Sequence, residues 1–215
     1  MNVKENRYTR AFFLLLITAA FSLLAVMVDR AAIGPNGTSV GFSALNGAFA
    51  GAFGYNEVFD MVSDVMMGIS FLVVISFAVM GVKELVRRKS ISKVDKAILG
   101  LGIIYVAVAV IYVAFDKIPV NYRPIIPPGE TELKTSYPST HTLIIVTVMG
   151  SAMVAWERVI KNERLVRILK IAAVIVMAVG VLSRLFAGVH WFTDIIAGIL
   201  FSLTLISFYT AWSTN

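Results

Sequence analysis

The two histidines of this 215-residue chain, His141 and His190, both lie beside groups suited to chemistry on an anion. His190 follows Ser183 and Arg184 and precedes Asp194 by four positions, so on a helix its ring and the carboxylate share a face. A carboxylate so placed can hold one ring N–H and leave the other nitrogen free to attack. His141 closes the run Tyr137, Pro138, Ser139, Thr140, His141, where Ser139 stands at the expected N-cap of a helix. The free backbone N–H groups of Thr140 and His141, with the helix dipole, would make an anion site. A third stretch runs from Lys117 to Arg123 and Pro124. Lys117, Arg123 and Arg184 are cations expected to converge at one level. A dianionic phosphate would satisfy them, with forked donors from the arginines and a mobile point charge from the lysine.

The elements that must position these residues are membrane helices. Hydrophobic residues make up 58% of the chain and charged residues 15%, against about 25% charged in an ordinary soluble domain. Mean hydropathy is +0.83. The apolar residues fall in six runs, at about 11–28, 58–82, 97–115, 139–155, 168–185 and 191–212. Each approaches the roughly 20 residues that cross the hydrocarbon as a helix. The spacing therefore predicts an all-α protein with six transmembrane helices in a single domain over 1–215. The first run has Lys4, Arg7 and Arg10 ahead of it, as a signal peptide would, but shows no small-residue cleavage pattern; a retained helix is expected. The stretches 34–54 (rich in glycine) and 117–138 (five prolines) are expected to be loops.

The basic residues supply an orientation. Lys4, Arg7 and Arg10 precede the first span; Lys83, Arg87, Arg88, Lys89, Lys93 and Lys96 separate the second from the third. Arg158, Lys161, Arg164, Arg167 and Lys170 separate the fourth from the fifth. These are fourteen of the nineteen basic residues; Arg30, Lys117, Arg123, Lys134 and Arg184 fall at the other face. The positive-inside bias puts both termini in the cytoplasm and all three candidate stretches at the extracytoplasmic face of the plasma membrane. The sequence pI of 9.7 thus reflects membrane topology, and no nucleic-acid partner is expected. The chain has no Cys, which excludes disulfides and thiolate metal sites.

Together the three stretches resemble the three-part signature of the type-2 phosphatidic acid phosphatase superfamily. That family includes bacterial phosphatidylglycerophosphate and undecaprenyl-pyrophosphate phosphatases, glucose-6-phosphatase and the vanadium haloperoxidases. The spacing of Ser183, Arg184, His190 and Asp194 matches in full, and Thr140 stands where the family most often has Gly. Five residues separate Lys117 from Arg123 where the family usually shows six, which leaves Lys117 to reach a phosphate by a different loop path. The resemblance implies an acid phosphatase/haloperoxidase-like helical bundle with its motifs within 117–194. It implies His190 as nucleophile through a phosphohistidine, Asp194 as its orienting carboxylate, and His141 as general acid and then base. Lys117, Arg123, Ser139, Thr140, Ser183 and Arg184 would bind the phosphate and stabilise the transition state. No metal or other cofactor is implied.

The expected activity is hydrolysis of a lipid phosphate monoester or pyrophosphate, with the headgroup in the site and the tails in the bilayer. Undecaprenyl pyrophosphate stands first among substrates, phosphatidylglycerophosphate or phosphatidic acid second. A lipid phosphotransferase and a non-catalytic phospholipid binder or transporter are the competing classes, and loss of His190 separates binder from enzyme. Simpler readings exist for single residues: a His190–Asp194 pair that satisfies itself, or Arg184 as a snorkelling anchor. Neither explains cations gathered on the face that charge bias should empty. Asp60 and Asp64 are expected to partner polar groups inside the bundle, with pairing to the site cations as the other reading. Nothing in the residues speaks to oligomeric state.

Overall fold

The apolar runs become helices in a computed structural model that describes residues 3–214. In chain order they are α1 (Val3–Met27), α2 (Ser43–Ala52), α3 (Glu57–Arg88), α4 (Lys96–Lys117), α5 (Thr140–Val159), α6 (Glu163–Phe186) and α7 (Phe192–Ser213). Among the described residues six helices, all but α2, are long and apolar enough to cross a membrane, and they coincide with the six expected spans. The chain is an all-helical, multi-pass membrane protein. Helix α3 runs 32 residues, past Val82 to Arg88, because Lys83, Arg87 and Arg88 can extend the helix beyond hydrocarbon while their heads stay in water.

The 34–54 segment is not loop throughout, as it holds α2. At ten residues this helix is too short to cross a bilayer. Asp29 serves its N-terminal donors, accepting from the Ser43 hydroxyl at 3.0 Å and the Ala44 N–H at 2.8 Å. Buried Asn46 donates to the Gly41 carbonyl at 2.7 Å and to the Thr193 hydroxyl at 2.9 Å, which ties α2 to the start of α7.

Helix α5 is the interior element, packed on α3, α4, α6 and α7, while α1 lies against α7. Its apolar window is 61% buried against 11% for α3, so α3 turns most of its surface to lipid. Lipid tails are as apolar as leucine, so helices here associate by close packing and by hydrogen bonds. At Gly198 of α7 an added Cβ would stand 2.9 Å from Thr142 Cβ and 3.0 Å from the Ser139 carbonyl oxygen; the α7 backbone thus lies directly on the first turn of α5. Thr147 donates to Ser202 at 3.0 Å across the same interface, and Ser202 sits 3.1 Å from the Leu143 carbonyl.

Phe77, Leu101, Met149, Trp156 and Tyr209 form the main apolar core, toward the end that carries the 89–95 and 160–162 connectors. The opposite end gathers the start of α3, the end of α4, the start of α5, the end of α6 and the start of α7. All three candidate stretches meet there.

Candidate functional site

His190 lies in the short connection between α6 and α7, and that connection is held from both sides. Gly188 takes φ +67 and presses on the carbonyl of Gly54, a conformation and a closeness that suit glycine alone. The Asn56 N–H donates to the Ala187 carbonyl at 3.1 Å. The Trp191 indole N–H donates to the Tyr122 carbonyl at 2.6 Å, which fastens the connection to the 118–139 loop. A two-residue antiparallel pairing of Tyr122 with Thr135 gives that loop its shape.

The His190 ring is buried, its side chain only 4% exposed. Its Nδ1 lies 3.0 Å from the Ser136 carbonyl, which can only accept. Nδ1 therefore carries the proton, and Nε2 is left with a free lone pair. Burial, then the Arg184 and Arg123 charges and His141, hold the His190 pKa well below its usual value, so the ring is a neutral base.

Asp194 departs from the expectation that its carboxylate holds the ring. Its Oδ2 is 3.9 Å from His190 Nδ1, beyond hydrogen-bond reach. It accepts instead from the Trp191 N–H at 3.1 Å and from the Asn121 amide at 3.1 Å. The reason is local: Asp194 falls in the first turn of α7, where unpaired backbone donors compete for it. It fixes the His190 connection through the backbone, and the Ser136 carbonyl sets the tautomer.

Arg184, in the last turn of α6, is 1% exposed. One terminal nitrogen pairs with Asp60 of α3 and donates to the Ser63 hydroxyl at 3.0 Å. Its Nε, and the buried Nε of Arg123, have no partner. Two unpaired guanidinium donors beside a neutral imidazole are costly unless an anion comes to them. His141, in the first turn of α5, has Nε2 at 2.7 Å from Asp64 Oδ1. The first backbone N–H groups of α5 have no acceptor within the helix. Ser139 does stand at the N-cap, but its side chain caps nothing; it is fully buried and accepts from the Thr142 hydroxyl at 3.1 Å. Ser183 is likewise buried, one residue before Arg184.

A cavity of about 730 Å³ reaches four of the candidate residues. Arg123, Thr140, His141 and His190 line one part of it, and Met67, Phe71, Val108, Tyr112, Phe115 and Val148 line apolar walls from α3, α4 and α5. The α4 lining residues Tyr105, Val108, Ala109, Tyr112, Phe115 and Asp116 recur at helical spacing. Lys117 is off that stripe. Its side chain is 76% exposed, pairs with Asp116 at 3.3 Å, and does not line the cavity. With six residues between it and Arg123, the family's lysine position falls on Asp116, so the family spacing selects an acid here. Lys117→Ala is accordingly expected to lower kcat/KM by less than about 3-fold and Arg123→Ala by about 100-fold. Steady-state rates of the two purified variants check this, and an equal loss would mean that Lys117 swings inward.

Ser136, Asn121, Asp60 and Asp64 had no assigned site role in the sequence. Asp60 and Asp64 carried one legible signal: they continue at helical spacing the α3 stripe of Met67, Phe71 and Val74, which lines the cavity, and they meet Arg184 and His141. Among the described residues no group of three His, Cys, Asp or Glu side chains is placed to hold a metal ion.

Comparison with known proteins gives three findings. A family profile described as PAP2 superfamily matches residues 96–215. The fold is similar to that of a transmembrane PAP2-type phosphatidylglycerolphosphate phosphatase from Bacillus subtilis, with a TM-score of 0.59 and 20% identity over 94% of this chain and 93% of that one. No curated protein sequence matches the chain.

Proposed function

The chain belongs to the PAP2 superfamily, and from that premise we propose that it is a metal-independent lipid phosphatase acting through a phosphohistidine. The observation that carries this is the neutral, buried His190, flanked by two arginines with unpaired Nε groups and opening on an apolar cavity. Nε2 of His190 attacks phosphorus, Arg184 and Arg123 take up the charge on the equatorial oxygens, and His141 protonates the departing lipid oxygen. The same histidine then takes a proton from the water that releases phosphate. Thr140 and the N–H groups of the first turn of α5 add donors. Ser139 and Ser183 are buried beside His141 and Arg184 in sequence, and Lys117 stays peripheral.

The apolar walls supply the lipid half of the reading. Tails against Phe71, Val108 and Phe115 bring binding energy that a soluble phosphate lacks. The charge bias of the connectors supports cytoplasmic termini and an extracytoplasmic site. Undecaprenyl pyrophosphate, phosphatidylglycerophosphate and phosphatidic acid are the substrates to compare.

A panel of these three lipids and a water-soluble phosphate monoester, in detergent micelles with EDTA present, tests the proposal. At least one lipid should exceed the soluble ester in kcat/KM by about 100-fold or more. Equal values would remove the lipid, and strict dependence on added metal would remove the mechanism.

A further inference from the structure

Asp60 and Asp64 of α3 lie outside the 96–215 segment that matches the family, yet each holds one of the proposed catalytic groups. Asp60 pairs with Arg184, and Asp64 Oδ1 lies 2.7 Å from His141 Nε2. The Asp64 side chain is 61% exposed and the His141 side chain 16%. An exposed carboxylate can be hydrated instead, and an ordinary surface pair of this kind adds little stability. What the contact does provide is direction. The imidazole has two distinguishable nitrogens, and a carboxylate on one of them decides the tautomer, the ring angle and which nitrogen meets the substrate.

We propose that Asp64 is the positioning residue of the leaving-group acid: it holds His141 Nε2–H, so that Nδ1 faces the departing oxygen. This rests on His141 being the general acid of the phosphatase described above. In the first step the bond from His190 Nε2 to phosphorus forms and the ester P–O bond breaks. The electron pair of that bond stays on the lipid oxygen, which takes the proton from His141 Nδ1. In the second step water oxygen bonds to phosphorus, the N–P bond breaks with its pair returning to His190, and the water proton goes to His141 Nδ1. Asp64 touches no reacting atom and keeps the Nε2–H bond throughout. Without it the His141 ring can turn about its last torsion, and the proton is no longer delivered along one line.

A positioning role has a signature that structural damage lacks. An alkoxide leaves poorly and needs the proton, whereas para-nitrophenolate leaves without one. The ratio kcat/KM reports only the steps up to departure of the leaving group, so the common hydrolysis of phosphohistidine does not blur it. The experiment compares phosphatidic acid with para-nitrophenyl phosphate for the wild type, Asp64→Asn and Asp64→Glu in detergent micelles. Asp64→Asn should lose about 100-fold in kcat/KM on phosphatidic acid and less than about 3-fold on the aryl ester. Asp64→Glu, which restores a carboxylate, should recover the lipid value to within about 5-fold of the wild type.

Equal losses on both substrates, or no loss on either, overturn the inference, as does an Asp64→Glu variant no better than Asp64→Asn. Its failure and that of the parent reading look different. A wild type that hydrolyses neither ester, or a His190→Ala variant that still hydrolyses both, overturns the phosphatase itself and the role of Asp64 with it.

Discussion

His190→Ala should release phosphate from no lipid, with kcat/KM reduced on the order of 10⁴-fold or more, the scale of losing a covalent nucleophile. The variant should stay folded. The side chain makes one hydrogen bond, from Nδ1–H to the Ser136 carbonyl, and losing it costs about 1 kcal/mol plus the penalty of an unpaired carbonyl. The connection itself is held by Ala187, Trp191 and Asp194, which the substitution leaves in place. Elution as a single detergent-solubilised species, with unchanged helical circular dichroism, checks the fold, and phosphate release checks the chemistry. Retained turnover would remove the histidine nucleophile. The same residue sets an expectation for pH. Burial and the neighbouring cations hold the His190 pKa well below the ordinary histidine value. As pH falls through 6.5, the ordinary histidine value, the ring therefore stays unprotonated and nucleophilic. Protonation of His190 should limit kcat/KM only at distinctly lower pH, and an acid limb centred on the ordinary histidine value would contradict this.

Arg184→Lys should lower kcat by about 10³-fold while leaving the protein assembled. Lysine keeps the positive charge that Asp60 needs, so the partly buried carboxylate in the first turn of α3 is not left without its partner. It forfeits the fork. In the native site one terminal nitrogen is committed to Asp60 and Ser63, and Nε is left unpaired. A planar guanidinium can serve a carboxylate and a phosphate at once, whereas one ammonium on a flexible stem serves them in turn. The loss should fall more on kcat than on KM, because the charge on the equatorial oxygens grows toward the transition state. A matching fall in affinity for vanadate, measured by inhibition, would accompany it. A variant with wild-type kcat would mean that Arg184 serves only to anchor α6 against α3.

The sequence by itself determined the membrane architecture, because hydrocarbon imposes a length on every helix that crosses it. The six apolar runs had that length, and six helices formed on them. It also determined which residues share one end of the bundle, since antiparallel spans alternate and the motifs sit in alternate connectors. Lys117 was not legible in this way: its sequence position put it among the site cations, and only the structure shows it off the cavity-lining stripe that runs from Tyr105 to Asp116.

Only the tertiary structure decided who partners whom. Asp194 follows His190 by four residues, a spacing that shares a face only on one helix, but α7 begins at Phe192 and the histidine precedes it. The carboxylate therefore serves the helix start, and a backbone carbonyl 54 residues away in sequence holds the ring. Asp60 and Asp64 were visible as two acids on one face. Their meeting with Arg184 and His141 depends on how α3 packs against α6 and α5, a contact between elements that no local spacing encodes.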